Sequence, residues 1–306
     1  MHTVTQPTPP IEACGGALRI HRIAAASDNL VWIAVCVETG AAAVIDGPSA
    51  AEALAACEAE EITLSAVWNT HTHDDHIGIN RDLQRLGRLE GLEVIGPALV
   101  ADAVPGLTCG VDEGDEVRLG ALTAQVLRTE GHVDGHVSYL LGDALFCGDT
   151  LFTGGCGYLF DGPPDKMYRS LMRLAELPGE TLVCCAHEYT QDNLRFAWSV
   201  EPDNPALAQR IRAVWAIRSA GGCVVPSTLE EERATNPFLR PGSPSLIQRV
   251  AAASAQLGPA PTPSEVFAAT RALKDTGAHQ ALADSSLPLA DSSLPLADSS
   301  LPLAGL

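Results

Sequence analysis

None of the nine cysteines forms a C-x-x-C pair, and their spacings build no even framework. A disulfide-stapled fold is therefore not encoded, and reduced thiols in a cytosolic protein are the simplest reading. Long apolar runs are also missing, and none approaches the roughly 20 residues that a bilayer requires. Met1 to Pro10 is polar and carries prolines, with no apolar segment of the kind a signal peptide needs, so the cytoplasm is expected. Basic charge is scarce: 19 Lys and Arg stand against 38 Asp and Glu, for a net charge of -19. Such a chain repels the nucleic-acid backbone, and no basic stretch reverses that locally, so neither nucleic acid nor membrane is an expected partner. A G-x-S-x-G elbow is absent too, which removes the commonest serine-hydrolase signature.

What remains is a chain of 306 residues, 46% hydrophobic and 19% charged, long enough for a substantial core. Leu30 to Val37 and Ala42 to Ile45 read as a strand pair around Thr39-Gly40. Ser49 is a candidate cap for an Ala-rich helix to about Glu60, and Thr63 to Trp68 is a further strand. Leu83, Leu86 and Leu89 recur at three-residue spacing and predict a helix after it. Short apolar runs at Glu116–Leu119, Leu122–Leu127, Val137–Leu141 and Ala144–Cys147 make the middle third β-rich, and Asp165–Leu177 returns to helical spacing before a last strand, Thr181–Ala186. The adjacent Cys184 and Cys185 suit a buried strand. Beyond residue 190, Asn204–Ala220, Ser245–Gln256 and Ser264–Lys274 predict helices between Pro- and Gly-bearing loops. The pattern is α/β: a sheet sandwich with outer helices (11–190), then a small helical domain (191–280). From Leu282 the unit Leu-Ala-Asp-Ser-Ser-Leu-Pro occurs three times. A proline in every unit excludes a continuous helix, so 281–306 reads as a disordered, non-catalytic tail.

Chemistry concentrates at Thr70-His71-Thr72-His73-Asp74-Asp75-His76, directly after a strand. His71 and His73 share a direction in extended backbone, and Asp75 and His76 turn toward a second position where a helix begins. Imidazole and carboxylate are ligands that borderline divalent ions prefer, and crowding them without a cation is costly in desolvation and repulsion. A merely solvated loop rarely concentrates histidine after a buried strand. Three more strand ends add candidates: His132 or His136, between which spacing does not choose; Asp149, whose carboxylate can bridge two ions; and His187. Each alone is weak, but a ligand at a strand's C-terminal edge occurs four times.

The metal loop resembles the H-x-H-x-D-H signature of the metallo-β-lactamase superfamily, and within it the chain looks like the glyoxalase II family of hydroxyacylglutathione hydrolases. The likeness, from about Ile20 to Asp275, includes Gly148-Asp149-Thr150-Leu151-Phe152, Gly155-Cys156-Gly157, His187-Glu188-Tyr189-Thr190, Asn236-Pro237-Phe238-Leu239-Arg240 and Arg271-Ala272-Leu273-Lys274-Asp275. It implies a metallo-β-lactamase-like αββα sandwich with a C-terminal helical substrate-binding domain. It also implies His71, His73 and His132 on one divalent ion, Asp75, His76 and His187 on the other, and Asp149 bridging. Asp75 and Asp149 would be the catalytic carboxylates. Zinc is the first expectation for the two ions, with iron or manganese compatible with the same ligands. The implied reaction is hydrolysis of S-(2-hydroxyacyl)glutathione thioesters, S-D-lactoylglutathione to D-lactate and glutathione, by a metal-held hydroxide, the second step of methylglyoxal detoxification; a monomer is expected.

The implied glutathione contacts are Tyr189, Arg271 and Lys274, together with Tyr158 and Phe160, which stand where this family often has a Lys or Arg and then a Tyr. Thioester chemistry is thus better marked than the identity of the thiol. The rival readings are a persulfide dioxygenase using only His71, His132 and Asp149, a lactonase or other thioesterase, and an inactive thiol-binding module. The NPFLR and R-x-x-K-D segments and the full ligand set favour the hydrolase.

Overall fold

In the first 111 residues seven strands lie in the sheet in chain order: β1 (Ile11–Ala13), β2 (Leu18–Ala25), β3 (Asn29–Cys36), β4 (Ala42–Ile45), β5 (Leu64–Trp68), β6 (Glu93–Pro97) and β7 (Cys109–Val111). This is a computed structural model, and it describes residues 3–254 and 257–289. β1 to β4 pair antiparallel and β4 to β7 parallel. Parallel neighbours need a crossover, supplied by α1 (Ala51–Ala59) and α2 (Asp74–Arg85) for the first two pairs and by a 3-10 segment, Ala98–Ala103, between β6 and β7. On β3, Leu30, Trp32 and Ala34 face the main core, while Val31 and Ile33 face a second cluster holding Ala53 and Cys57 of α1 and Ile79 and Leu83 of α2. With both faces covered, the strand reads as an unbroken apolar run.

The second sheet begins with the antiparallel ladder β8 (Glu116–Leu119), β9 (Leu122–Arg128), β10 (Val137–Leu141) and β11 (Ala144–Gly148). A small hairpin, β12 (Leu151–Phe152) and β13 (Gly155–Cys156), leads to α3 (Pro164–Leu174). The sheet is completed by β14 (Leu182–Cys185), parallel to β11, and later by β15 (Ser227–Thr228). The remaining helices are α4 (Thr190–Val200), α5 (Pro205–Ser219), α6 (Leu229–Thr235), α7 (Pro244–Ala253) and α8 (Pro263–Asp275). Side chains from both sheets meet in one cluster: Trp32 packs edge-on against Phe146, and Trp68 lies 5.0 Å from the Tyr139 ring. Cys184 and Cys185 are buried in β14, and all nine cysteines are free. Phe196, Phe238 and Phe267 of the helical segment belong to this same cluster, so the helices pack directly on the sheets.

Three expectations need correction. The helix leaving the histidine loop begins at Asp74, in line with the turn expected at Asp75 and His76, but ends at Arg85, short of Leu86 and Leu89. Gly87, at φ +66°, turns the chain there, which leaves Leu86 exposed although it continued the leucine spacing. Ser49 does not cap α1: Ala50 holds that position, while the Ser49 hydroxyl binds Glu52. The tail is not free from its beginning. Leu287 is buried among Leu207, Ile211 and Trp215, and the Trp198 indole donates to Ser286 O at 3.0 Å. Low-complexity composition hides this because it says nothing of a groove elsewhere that can bury its leucine. Residues 290–306 lie outside the described residues.

Candidate metal centre

All seven candidate ligands converge at one end of the sandwich, each delivered just past a strand. His71 follows β5; His73 caps α2, whose first turn carries Asp75 and His76; His132, Asp149 and His187 follow β9, β11 and β14. Acidic residues in a helix's first turn also suit its dipole. His71, His76, His132, Asp149 and His187 are buried, while His73 and Asp75 are partly exposed.

Asp149 stands between two groups. Its Oδ2 is 3.4 Å from His132 Nε2, and His73 Nδ1 is 3.0 Å from both His132 Nε2 and His71 Nε2. Its Oδ1 is 3.4 Å from His187 Nε2 and 3.5 Å from His76 Nε2, and Asp75 Oδ2 lies 3.3 Å from His187 Nε2. His71, His73, His132 and Asp149 offer ligand atoms mutually within 4.8 Å, and so do Asp75, His76 and His187. A third such combination, Asp46 with His71 and His76, shares its histidines with these two groups.

Outer hydrogen bonds fix which nitrogen faces inward. His132 Nδ1 donates to Tyr158 O at 2.7 Å, and His187 Nδ1 to Asp28 Oδ1 at 2.9 Å. The Thr70 hydroxyl donates to Asp46 at 2.6 Å and so accepts from His71 Nδ1 at 3.0 Å. In each ring Nδ1 is thereby occupied and Nε2 is the atom turned inward, the one a metal ligand would use. His136 is different. Its Nε2 accepts the backbone N–H of Asp149 at 3.2 Å and its Nδ1 meets the Thr129 hydroxyl at 3.1 Å, so neither nitrogen is free. The choice that spacing left open falls on His132. Close packing makes this possible: a Cβ on Gly157 would sit 2.0 Å from Asp149 O, and one on Gly148, at φ +48°, 2.3 Å from the Thr70 hydroxyl.

The two groups differ in charge. Burial, reinforced by neighbouring rings, holds His71 well below the ordinary histidine value, and burial also lowers His132. Burial would depress His76 too, but the carboxylates of Asp149 and Asp46 outweigh it and push the ring up to about 10. His187 is raised as well, against burial, chiefly by Asp149. Burial would raise Asp149 and Asp75, but these histidines hold both carboxyls low. Protons on His76 and His187 therefore supply the positive charge the carboxylates demand. His76 Nε2 and Asp149 Oδ1 are buried without a hydrogen-bond partner, and His76 Nδ1 lies 3.0 Å from Asp46 Oδ2, out of line for a bond. The donor set fits divalent cations in place of those protons.

The candidate substrate residues divide. Tyr189 stacks on His187, with ring centroids 4.6 Å apart and planes at 5°. Tyr158 and Phe160 are exposed beside the centre, and Phe160 meets His73 and His132 edge-on at 5.1 and 5.3 Å. Arg271 and Lys274 are engaged internally: Arg271 with Asp275 and Cys156 O, Lys274 with Asn193. The residues that sequence reasoning missed are Asp28, Asn29 and Asp46, which bind His187, Asp75 and Thr70. Asp46 had a signal, a carboxylate at a strand's C-terminal end like Asp149, but it reads equally as a turn former.

Residues 86–187 match the metallo-β-lactamase superfamily model, and residues 188–277 the model for the hydroxyacylglutathione hydrolase C-terminus. Hydroxyacylglutathione hydrolases of Gloeobacter violaceus and Methylococcus capsulatus are 46% and 45% identical to the chain, each over 84% of it and 98% of the relative. Among solved structures, ETHE1 from Myxococcus xanthus matches at TM-score 0.53 and 25% identity, covering 89% of this chain and all of that one. A metallo-β-lactamase from Staphylococcus aureus matches at TM-score 0.55 and 20% identity over 84% and 71% of the two chains, a likeness of fold.

Proposed function

The chain belongs to the hydroxyacylglutathione hydrolases of the metallo-β-lactamase superfamily, and from that premise we propose that it hydrolyses S-(2-hydroxyacyl)glutathione thioesters, S-D-lactoylglutathione among them. The observation that carries this reading is the placing of two ligand groups on the two oxygens of Asp149. His71, His73 and His132 would hold one divalent ion and Asp75, His76 and His187 the other, with Asp149 between them. Zinc is the proposed metal, since imidazole and carboxylate suit it, although iron and manganese share these preferences. Two such ions, when bound, bring water toward ionisation at neutral pH and polarise the thioester carbonyl.

The chain's own part is to orient and to exclude. Asp28, Thr70 and the Tyr158 carbonyl hold the inward tautomers of His187, His71 and His132. Asn29 donates to Asp75 Oδ2 at 3.0 Å, which keeps that carboxylate turned to the centre. Tyr158 and Phe160 form an exposed aromatic pair where the acyl-thiol would enter, and Tyr189 backs His187 by stacking on its ring. Arg271 and Lys274, on α8, offer cations to a thiol bearing carboxylates once they exchange their present partners. The thiolate leaves without strong acid help because its conjugate thiol is already fairly acidic.

We read residues 11–190 as the catalytic domain and 191–280 as the substrate-binding one, in a cytoplasmic monomer. No described helix is long and apolar enough to cross a membrane. A dioxygenase using only His71, His132 and Asp149 would leave His73, Asp75, His76 and His187 without a role. Metal analysis together with an S-D-lactoylglutathione assay tests the reading. Two ions per chain and thioester turnover are expected, both lost in Asp149→Ala; one iron per chain with oxygen-dependent turnover of a persulfide overturns it.

A further inference from the structure

The first Leu-Ala-Asp-Ser-Ser-Leu-Pro unit, residues 282–288, lies in a groove between α4 and α5. Asp284 pairs with Arg195, whose guanidinium lies over the Trp215 ring. The Trp198 indole donates to Ser286 O at 3.0 Å, and Arg212 donates to Pro288 O at 3.1 Å. Leu287 is the buried anchor, 5% exposed, and Leu289 packs beside it. Every contact is made by a residue that recurs seven and fourteen positions later. Asp291, Ser293, Leu294, Pro295 and Leu296 repeat the set, and so do Asp298, Ser300, Leu301, Pro302 and Leu303.

We propose that the α4–α5 groove is a receptor for this heptad unit, and that the second and third copies, residues 289–295 and 296–302, exchange with the first in it. The groove reads one acidic side chain, two backbone carbonyls and one leucine at fixed offsets, and nothing in that set distinguishes the copies. What distinguishes them is tethering. His279 is held by Asp192 at 3.1 Å, and the groove's acidic position lies five residues on in the first register and twelve in the second. Loop closure disfavours the second register by roughly fourfold and the third by roughly sevenfold. The first unit therefore holds the groove most of the time, and the others are reserves within reach. The exchange keeps the groove filled when the seated unit is modified.

The test reads the Trp198 indole N–H by NMR in the full-length chain, with the indoles of Trp32 and Trp68 reporting an intact core. Leu287→Asp drives a charge into the groove only in the first register. It is expected to keep most of the docked Trp198 signal, whereas Leu287→Asp, Leu294→Asp and Leu301→Asp together are expected to abolish it. Adding the synthetic peptide LADSSLPLA to the triple variant should restore the signal, and a scrambled peptide should not. Complete loss in Leu287→Asp alone, with the core indoles unmoved, overturns the exchange. Retention in the triple variant overturns the groove as the receptor. A docked signal in Leu287→Asp that grows with protein concentration, alongside dimer formation, assigns the groove to the tail of a second copy and also overturns exchange within one chain.

Discussion

The backbone N–H of Asp149 donates to Nε2 of His136 at 3.2 Å, so the histidine that most resembles a spare ligand is tied to the main chain of Asp149 instead. His132 and His136 therefore differ in a measurable way. His132→Ala is expected to lose metal from its group and nearly all activity. His136→Ala should keep the metal content near wild type while activity falls about 10- to 100-fold, the usual scale for a group that orients a ligand. Metal analysis beside kcat separates them, and equal metal loss in both variants would contradict the assignment.

Gly157 tests how tightly the hairpin β12–β13 is folded over Asp149. A methyl group there meets a backbone oxygen at 2.0 Å, which no side-chain rotation relieves. Gly157→Ala should cost on the order of 1–3 kcal/mol, as overpacking does. Its effect on kcat should be larger, about a hundredfold, because Asp149 must move. Thermal unfolding and kinetics on the same preparation check this, and an unchanged kcat would mean the hairpin shifts without Asp149.

Cutting the chain after Ala281 removes the unit seated between α4 and α5, whereas cutting after Leu289 keeps it. Burying a leucine stabilises by about 1.5–3 kcal/mol before the entropy of ordering the tail is subtracted. The shorter chain should therefore unfold a few degrees lower and the longer one should match the full chain. Calorimetry decides, and identical midpoints for all three would show that the seated unit adds nothing.

The sequence carried the site better than it carried the surroundings. His71, His73, Asp75 and His76 announce themselves because four polar groups interrupt an apolar pattern just where a strand ends. β4, β8 and β10 were legible to the residue, since Asp46-Gly47, Gly120 and Gly142 mark their ends. β1, β2, β6 and β7 are not legible: β6 ends in Gly96-Pro97, which reads as a turn, and Arg19, His21 and Arg22 break up the apolar pattern of β2. α4 was missed because Thr190 to Val200 mixes Gln, Asp and Asn among its apolar positions, several of them buried against other elements. The rings' partners, Asp28 and Asn29, belong to a turn and a strand far away in sequence, and only the folded chain brings them to His187 and Asp75.

The substrate's charge is the sharpest remaining handle. Burial lowers Lys274, with Arg271 adding repulsion, to about 8, so its charge is lost in a range where the enzyme can be assayed. Below that pH the ammonium is present to meet a carboxylate; above it the amine is neutral. A charge-assisted hydrogen bond contributes roughly 1.5–3 kcal/mol against about 1 for a neutral one. For a thioester of glutathione, kcat/KM should therefore fall several-fold as pH rises through about 8, while kcat, measured with Lys274 already paired to substrate, should stay nearly flat. Lys274→Arg keeps its charge throughout and should remove the fall. Tyr158 extends the argument, because it offers a neutral hydroxyl on an exposed ring that packs against Phe160. Tyr158→Lys should lower KM several-fold with kcat unchanged, and Arg271→Ala should raise KM at least as much, since such contacts bind ground and transition states alike. If Lys274→Arg shows the same fall as the parent enzyme, the titrating group is not Lys274. If none of the three variants alters KM for glutathione thioesters while another acyl-thiol is turned over well, the thiol is not glutathione and the thioesterase reading alone survives.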